Sequence, residues 1–442
     1  MQKKVINPYF YIIISFLAVV LVGTLLLWLP FSVKEGNMQF IDALFMSTSA
    51  VCVTGLATVN IAANFTLYGK IVLLILIEIG GLSFLTIVVF FASLMSSKLK
   101  ITHLYVMREA LNQNGVKGVL GLIRLIVGTA LSIQVLGVIA CFFAFRKELP
   151  DARSIEILGY SIFHTISSFN NAGFDTFGPD SLIPFANSVS VNVITMALIV
   201  IGGLGFVVIH DLLNKPSWDK FTLHSKIVLI TTAILLIVGT LLFKVSMGDR
   251  ITWLQSAFMS VTTRTAGFMT FNMSELTPTA YVISIFMMII GASPCSTGGG
   301  IKTTTLFIII ITIASVAGRK KLVAFNRKVS NDTVIKAFAL VTFVIIYLVI
   351  ATCLMTVSEA ELLSSGNYNL QDIVFEVSSA FGTVGLSNNL TPSLSVGGKV
   401  IISLTMLCGR MGPLTIINLM SNNWLSSNHS NVDYLEASVL VG

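Results

Sequence analysis

The stretch SAVCVTGL at residues 49–56 decides how the rest of the chain is interpreted, because it recurs three more times in altered form. The later copies read SFNNAGF at 168–174, TTRTAGF at 262–268 and SAFGTVGL at 379–386. Each copy ends in one glycine followed by a large apolar residue. A stretch that returns in this way predicts one structural unit built four times along the chain.

The flanks of the four stretches repeat as well. A phenylalanine lies nine or ten residues before each glycine, at Phe45, Phe163, Phe258 and Phe375. A long apolar run follows each stretch and carries a further glycine near its middle, at Gly80, Gly202, Gly291 and Gly409. A single glycine turn says little, but four turns with matched flanks are typical of a true internal repeat.

The composition is that of a membrane protein. Of the 442 residues, 55% are hydrophobic and 11% are charged, whereas a soluble domain usually has about 25% charged residues. The net charge is +7, but the lysines and arginines fall between apolar runs and form no basic face, so we expect no nucleic-acid partner. The five cysteines form no CxxC pair, so neither a disulfide framework nor a zinc framework is expected.

Apolar runs of spanning length flank each of the four stretches. A helix needs about 20 apolar residues to cross a bilayer. The runs that meet this length are 9–29, 71–95, 119–145, 191–213, 226–247, 281–318, 334–357 and 400–420. The segments between paired runs, such as 41–50 and 373–380, are too short to cross, so we predict that they enter the membrane and return. Irregular backbone at that depth must line water or lie inside protein.

The predicted fold class is therefore an all-α integral membrane protein with four tandem helix–pore loop–helix repeats around one pseudo-fourfold pore. The predicted bounds are 1–97, 98–214, 215–320 with a broken second helix, 321–420, and a C-terminal tail at 421–442. The N-terminus and the linkers between repeats carry about twice as many lysines and arginines as the opposite side. Because cytoplasmic loops are rich in these residues, both termini are predicted to be cytoplasmic.

A pore lined by such loops is suited to a cation that has lost its water. The cation then needs a ring of oxygen atoms, which backbone carbonyls supply without a full charge. Carbonyls that point inward need unusual backbone torsions, and glycine adopts these at little steric cost. The predicted cation-binding filter is the glycine of each loop with the two residues before it: Val53, Thr54, Gly55, Asn171, Ala172, Gly173, Thr265, Ala266, Gly267, Thr383, Val384 and Gly385.

Side chains next to these glycines are expected to hold the loops by hydrogen bonds. The candidates are Thr54, Asn170, Asn171, Thr265 and Thr383. The short helix before each loop is expected to direct the negative end of its dipole at the ion path. For a single loop the alternative is an ordinary tight turn, but four loops in register make that explanation a poor one.

The apolar run 281–318 is nearly twice the length of a span and contains GASPCSTGGG in its middle. One proline and four glycines in ten residues do not form a helix interior. We therefore predict a broken helix with a loop at mid-membrane below the filter, and a movable obstruction there would be a gate. The alternative is a static kink. The predicted gate residues are Gly291, Ala292, Ser293, Pro294, Cys295, Ser296, Thr297, Gly298, Gly299 and Gly300.

Arg410 lies in the corresponding helix of the fourth repeat and is assigned to the same gate. An arginine at mid-span costs roughly 2.5–3.5 kcal/mol on insertion scales, and such residues are usually paired or functional. Arg410 is expected to latch the intramembrane loop 291–300 by hydrogen bonds to its carbonyls, or to repel cations that leave the filter. The alternative is a helix-end residue that extends to the membrane surface.

Other charged residues also fall in the apolar regions. Glu78 is expected either to line the pore and attract cations or to pair with Lys302, and a plain packing role is the alternative. Arg264, next to Thr265, is expected to brace its loop against Glu376. The pairing of Arg264 with Glu376 is inferred from their positions in the sequence alone.

No enzyme signature is present in the sequence. There is no HExxH motif, and the segment GGGIKT at 298–303 lacks the adjacent glycine and lysine of a phosphate-binding loop. No run has arginine at every third position, so a voltage sensor is not expected. A symporter with alternating access is the alternative to a pore. Such transporters often have inverted repeats, whereas the four units here run in the same direction, which favours a pore.

Several motifs together resemble the Trk/Ktr/HKT superfamily of potassium transporters, whose fold is similar to that of potassium channels. They are the four loops together with GASPCSTGGGIKT at 291–303, CGRMGP at 408–413, IGGLSF at 79–84 and IGGLGF at 201–206. The resemblance covers nearly the whole chain and is strongest to the membrane subunit of bacterial Ktr systems. The Trk type usually has two additional N-terminal helices.

The resemblance implies potassium uptake, often dependent on sodium, through one pore per subunit. It implies a homodimer on an octameric cytosolic ring of RCK-domain subunits, and only this partner binds adenine nucleotides. Transferred to this sequence, the filter glycines are Gly55, Gly173, Gly267 and Gly385, the gating loop is 291–300, and the arginine facing it is Arg410. Only 383–385 approaches the TVGYG pattern of potassium channels, so looser ion selectivity is expected. A glycine in all four loops is similar to the potassium-permeable members.

Overall fold

The computed structural model describes residues 8–34, 36–83, 86–87, 119–412 and 415. The described chain is helical apart from its loops and one short hairpin. The predicted linker between the first two repeats, the ends of the runs 71–95 and 400–420, and the tail 421–442 lie outside the described residues.

Each repeat begins with a long helix and continues into a short re-entrant helix. The first two repeats contain α1 (Pro8–Trp28), α2 (Phe40–Cys52), α3 (Ile61–Asn64), α4 (Leu67–Leu82), α5 (Val119–Glu148), α6 (Ser154–Phe169), α7 (Val189–Leu204) and α8 (Phe206–Asn214). The last two contain α9 (Leu223–Met247), α10 (Trp253–Thr262), α11 (Pro278–Ile289), α12 (Thr303–Ala317), α13 (Asn331–Ser358), α14 (Ala360–Ser364), α15 (Leu370–Gly382) and α16 (Val396–Met411). Between α12 and α13, β1 (Val323–Ala324) pairs antiparallel with β2 (Arg327–Lys328).

The first helix of each repeat is long and apolar enough to cross a bilayer. The spans are Phe10–Trp28, Ile123–Glu148, Leu223–Arg250 and Asn331–Ser358. Their outward side chains are large, apolar and exposed, as lipid-facing residues are, for example Val135 at 60% and Val245 at 83%. The predicted first helices therefore agree with the structure.

The second helices differ from the prediction, because a break was expected only in the third repeat. Helix α4 is followed by Ser83 with φ 70°, and α16 is followed by Gly412 with φ 80°. Helix α7 ends at Gly205 with φ 91°, and the chain bends by 99° into α8. A residue with positive φ cannot continue a right-handed helix. The prediction that the second helices of the first, second and fourth repeats are continuous is therefore wrong at Ser83, Gly205 and Gly412.

The repeated glycine in the second helix lets two backbones come together. A Cβ added to Gly80, Gly202 or Gly409 would meet the carbonyl oxygen of Val51, Phe169 or Phe381, respectively. In each pair the carbonyl belongs to the last turn of the re-entrant helix of the same repeat. The same close approach thus recurs in the first, second and fourth repeats. In the third repeat, Gly291 instead lies against the carbonyl of Gly299 within its own loop.

The re-entrant helices α2, α6, α10 and α15 form the centre of the molecule. The phenylalanines that precede the four loops are buried there: Phe45, Phe163, Phe258 and Phe375. The surrounding long helices cover them, so the most buried apolar residues support the loops from behind. The core therefore lies where it fixes the position of the four loops.

Candidate functional site

The four glycine loops share one backbone conformation. Loops 1 to 4 are defined as residues 53–55, 171–173, 265–267 and 383–385. Their glycines have φ values between 70° and 93°. The residue two positions earlier also has positive φ in every loop, at Val53, Asn171, Thr265 and Thr383. Positive φ is uncommon for residues other than glycine and marks backbone held by its surroundings.

The loops meet each other in a closed ring. A Cβ added to the glycine of one loop would meet the backbone carbonyl of the residue before the glycine in the next loop. The contacts run from Gly55 to Ala172, from Gly173 to Ala266, from Gly267 to Val384 and from Gly385 to Thr54. Because the fourth loop returns to the first, the loops surround one axis in chain order. The four predicted triplets are thus brought together, and cation binding by their oxygens stays a prediction.

An open cavity lies on one side of this ring. It has a volume of about 280 Å³, and all four loop glycines line it. Its wall is otherwise made by the segments that follow the loops, including Asn60, Asp175 and Asn389. The cavity therefore opens onto the ring and has residues with amide and carboxyl side chains at its wall.

Serine side chains hold the ends of two loops. The hydroxyl of Ser49 accepts a hydrogen bond from the Gly55 amide at 3.1 Å, and that of Ser379 accepts one from the Gly385 amide at the same distance. The sequence interpretation missed both serines. Their equal spacing of six residues before the glycine in loops 1 and 4 is the signal that would have found them.

The side chains that were expected to hold the loops behave differently from one another. The Asn171 amide and the Thr265 hydroxyl are 2.9 Å apart and join loop 2 to loop 3. The Asn170 amide donates to the Glu78 carboxylate at 2.7 Å. The Thr54 hydroxyl is buried without a hydrogen-bond partner among the described residues, so its predicted bracing role is wrong.

The intramembrane loop 291–300 lies directly below the ring. At its base, the Ile301 amide donates to the Ile289 carbonyl at 3.0 Å, which closes the loop. At its tip, the Gly299 amide donates to the Thr383 hydroxyl at 3.0 Å. A Cβ on Gly298 would meet the Thr265 side chain. The intramembrane loop thus contacts loops 3 and 4 of the ring and does not line the open cavity.

The second repeat holds the intramembrane loop through its own helix break. The Ser293 amide donates to the Gly203 carbonyl at 3.1 Å, and the Thr297 amide donates to the Gly202 carbonyl at 3.3 Å. In return, the Phe206 amide donates to the Cys295 carbonyl at 2.9 Å. These groups are available because α7 ends there, since the last carbonyls of a helix have no partner within it. The break that sequence analysis missed is therefore part of this site.

Arg410 joins three repeats below the ring. Its guanidinium donates to the carbonyl of Thr297 in the intramembrane loop and to the carbonyls of Gly80 and Gly81 at the end of α4. The expected hydrogen bond to the loop is thus present, and the alternative of a side chain that extends to the membrane surface is wrong. That Arg410 latches a gate stays a prediction. With Lys302, it lines a cavity of about 200 Å³ on this side.

Two predicted ion pairs are absent from the described residues. Glu78 accepts hydrogen bonds from Gln134 at 2.9 and 3.1 Å and from Asn170, while Lys302 donates to the Gly298 carbonyl at 2.8 Å. Glu78 therefore joins α4 to α5 and to Asn170, the residue directly before loop 2, which is the packing alternative. Its predicted pairing with Lys302 is wrong.

The prediction that Arg264 braces its loop against Glu376 is also wrong. Arg264 is 6% exposed and lies beside Gly203 of α7 and Thr232 of α9. Glu376 instead accepts hydrogen bonds from Ser387 and Thr391. Arg264 lies in the turn after α10 and Glu376 lies on α15, and the two side chains have different neighbours, which position in the sequence does not reveal.

A ring of four re-entrant loops beside an irregular intramembrane loop is the architecture of a multi-pass membrane transport protein with four pore-loop repeats. The chain belongs to the TrkH family of cation transport proteins, whose model matches residues 1–225 and 221–428. The resemblance to the Trk/Ktr superfamily is thereby confirmed. Because the relatives described below are named as uptake proteins, the expectation that the chain is not an enzyme is confirmed as well.

Three relatives match along almost their whole length. The potassium/sodium uptake protein NtpJ of Enterococcus hirae is 38% identical over 100% of this chain and 98% of its own. The Ktr system potassium uptake protein B of Bacillus subtilis is 35% identical over 97% and 95%. The Ktr system potassium uptake protein D of the same organism is 31% identical over 99% and 98%.

A solved structure confirms the predicted fold class. The crystal structure of the potassium transporter TrkH from Vibrio parahaemolyticus matches with a TM-score of 0.73. The match covers 96% of this chain and 86% of that chain at 16% sequence identity. The four-repeat pore-loop architecture is therefore shared, although the two sequences have diverged widely.

Proposed function

We propose that this chain is the ion-translocating membrane subunit of a potassium uptake system. The observation that carries this proposal is the closed ring in which the carbonyl before each loop glycine lies against the next loop. The names of the three relatives, each of which includes potassium uptake, support the choice of ion. Carbonyl oxygens replace the water of a potassium ion without binding it so tightly that it cannot leave.

The ion enters from the open cavity, loses its water at the ring and then meets the intramembrane loop. The Gly299 amide is bonded to the Thr383 hydroxyl directly below the ring, so the ion cannot pass in this arrangement. Opening therefore requires the loop to give up its bonds to Thr383, to the end of α7 and to Arg410. In this proposal the loop is the gate and Arg410 is its latch.

The gate faces the cytoplasm, and both termini lie on that side. This orientation is supported by the excess of lysine and arginine in the linkers between repeats. We propose that two copies of the chain form a dimer on an octameric cytosolic ring of RCK-domain subunits, and that this partner alone binds nucleotide. The similarity to two Ktr system proteins supports this assembly.

Sodium-coupled potassium symport with alternating access is the second candidate. It is supported by the name of the relative from Enterococcus hirae, which includes sodium. Unitary currents through the purified protein in a planar bilayer would favour a pore. A fixed ratio of sodium to potassium taken up, with no unitary current, would favour symport.

Ion uptake by the purified chain tests the proposal. The chain is placed in proteoliposomes, and the entry of potassium, rubidium and sodium is measured with and without the nucleotide-loaded partner ring. We expect rubidium and potassium to enter in preference to sodium, and the nucleotide on the partner to change the rate. Equal and low entry of all three ions under both conditions would contradict the proposal.

A further inference from the structure

A buried carboxylate lies behind loop 4. Glu376 belongs to α15, and no part of it is exposed. The Ser387 hydroxyl donates to one of its oxygens at 2.8 Å, and the Thr391 hydroxyl donates to the other. The two hydroxyls are also 3.1 Å from each other. Glu376 is therefore bound on both oxygens by the segment that follows loop 4.

A second carboxylate on the same helix holds the same segment. Asp372 lies one turn before Glu376 and accepts hydrogen bonds at 2.8 Å from the Tyr281 hydroxyl and from the Asn388 amide. It also accepts a hydrogen bond from the backbone amide of Asn369, at the start of α15. Side chains four residues apart lie on one face of a helix. The two carboxylates on this face of α15 therefore bind three side chains of the segment after loop 4, those of Ser387, Asn388 and Thr391.

The held segment forms part of the outer wall of the ion path. Ser387 lies two residues after Gly385, and both Ser387 and Thr391 line the open cavity above the ring. The carboxylate itself does not reach the cavity and acts on it only through these hydroxyls. The corresponding residues in the other repeats, each directly after the repeated phenylalanine, are Met46, His164 and Met259. The fourth repeat alone has a carboxylate at this position.

A carboxylate is a costly choice for this position. A buried polar group needs hydrogen bonds to offset its desolvation. Glu376 has one on each oxygen, so it fixes the conformation of both Ser387 and Thr391. The positions of the ring carbonyls, which are fixed in this way, decide which dehydrated ion fits.

We propose that Glu376 is a positioning residue that fixes the outer end of loop 4 and thereby sets the discrimination between potassium and sodium. This inference rests on the proposed function as a potassium pathway. Glu376 does not touch the ion. It acts through Ser387 and Thr391, so its removal is expected to change ion preference more than protein stability.

The test compares Glu376→Ala and Glu376→Gln with the unchanged full-length chain in proteoliposomes. Entry of radiolabelled rubidium is measured, together with the concentrations of potassium and of sodium that halve it. For Glu376→Ala we expect rubidium entry to persist and the halving concentration of sodium divided by that of potassium to fall about tenfold, as the loss of two hydrogen bonds implies. Glu376→Gln retains one acceptor oxygen, so a smaller fall is expected.

Glu359→Gln is the matched control. Glu359 is 2% exposed and accepts hydrogen bonds from the Ser395 hydroxyl at 2.6 Å and from the Ser395 amide at 3.2 Å. It lies in the same repeat but joins the end of α13 to α16 rather than to loop 4. We expect this variant to lower thermal stability without changing the ratio of potassium to sodium concentrations.

A combined variant separates a direct effect from one that passes through the two hydroxyls. With Ser387→Ala and Thr391→Val in place, Glu376→Ala is expected to change the ratio little further, because its partners are gone. A ratio for Glu376→Ala that equals that of the unchanged chain, or additive effects in the combined variant, would overturn the inference. An unchanged chain that takes up no rubidium would instead contradict the proposed function.

Discussion

The guanidinium of Arg410 donates a hydrogen bond to the carbonyl oxygen of Thr297, and this bond joins the fourth repeat to the intramembrane loop of the third. The same guanidinium also binds the carbonyls of Gly80 and Gly81 in the first repeat. One side chain thus joins the intramembrane loop of the third repeat to the first and fourth repeats. This relationship makes the proposed latch directly testable.

Removing this side chain should open the path more often. For Arg410→Gln we expect rubidium entry without the partner ring to rise about tenfold, because the loop loses at least one hydrogen bond to a charged donor. Arg410→Lys should give an intermediate rise, since lysine keeps the charge but not the fork of donors. Rubidium flux into proteoliposomes measures both effects.

Arg250→Gln, at an exposed position outside the site, is the control and should leave flux unchanged. Lower or equal flux in a folded Arg410→Gln protein would count against the latch.

Shortening the intramembrane loop should remove the obstruction itself. Deletion of residues 294–298 removes the loop's bonds to Gly202, Phe206 and Arg410. We expect rubidium entry to exceed that of Arg410→Gln and to become independent of the partner ring and its nucleotide. Flux should therefore be measured with and without the ring. A deletion variant that folds but still responds to the ring would show that the gate lies elsewhere.

The ring should not tolerate even a methyl group. A Cβ on Gly385 would lie 2.9 Å from the Cα of Gly55, and φ of 93° is itself unfavourable for alanine. We expect Gly385→Ala to lower rubidium uptake at least about tenfold, since two effects of more than 1 kcal/mol act together. Gly159→Ala is the control, because nothing lies within 4 Å of its added Cβ. Normal uptake by Gly385→Ala would argue against the ring as the ion path.

An ion pair connects the first and last repeats. The Lys399 ammonium on α16 lies 2.7 Å from the Asp42 carboxylate in the first turn of α2, and both side chains are largely buried. Removing one partner leaves the other charge uncompensated, so Lys399→Met should lower the free energy of unfolding by about 3 kcal/mol. Thermal unfolding in detergent measures this. The double variant with Asp42→Asn should recover part of the loss. Equal stability of the single variant and the unchanged chain would show that the pair contributes nothing.

The loops and the broken third repeat were predictable because their cause is local. Glycine recurs where the backbone takes positive φ, and a proline among glycines cannot continue a helix. The bend at Gly205 was not predictable in this way, since IGGLGF is apolar throughout and hydropathy does not report direction. The partners of Glu376 were missed for a related reason. They depend on which way its side chain leaves α15.

The most direct test of the account is an experimental density map of the protein prepared in rubidium, with anomalous scattering used to locate the ions. We expect ordered rubidium on the axis inside the ring, bound by the carbonyls of Thr54, Ala172, Ala266 and Val384. In sodium alone this density should weaken. Loops that lie apart from one another, or a ring that holds no ion while rubidium is ordered elsewhere in the membrane region, would contradict it.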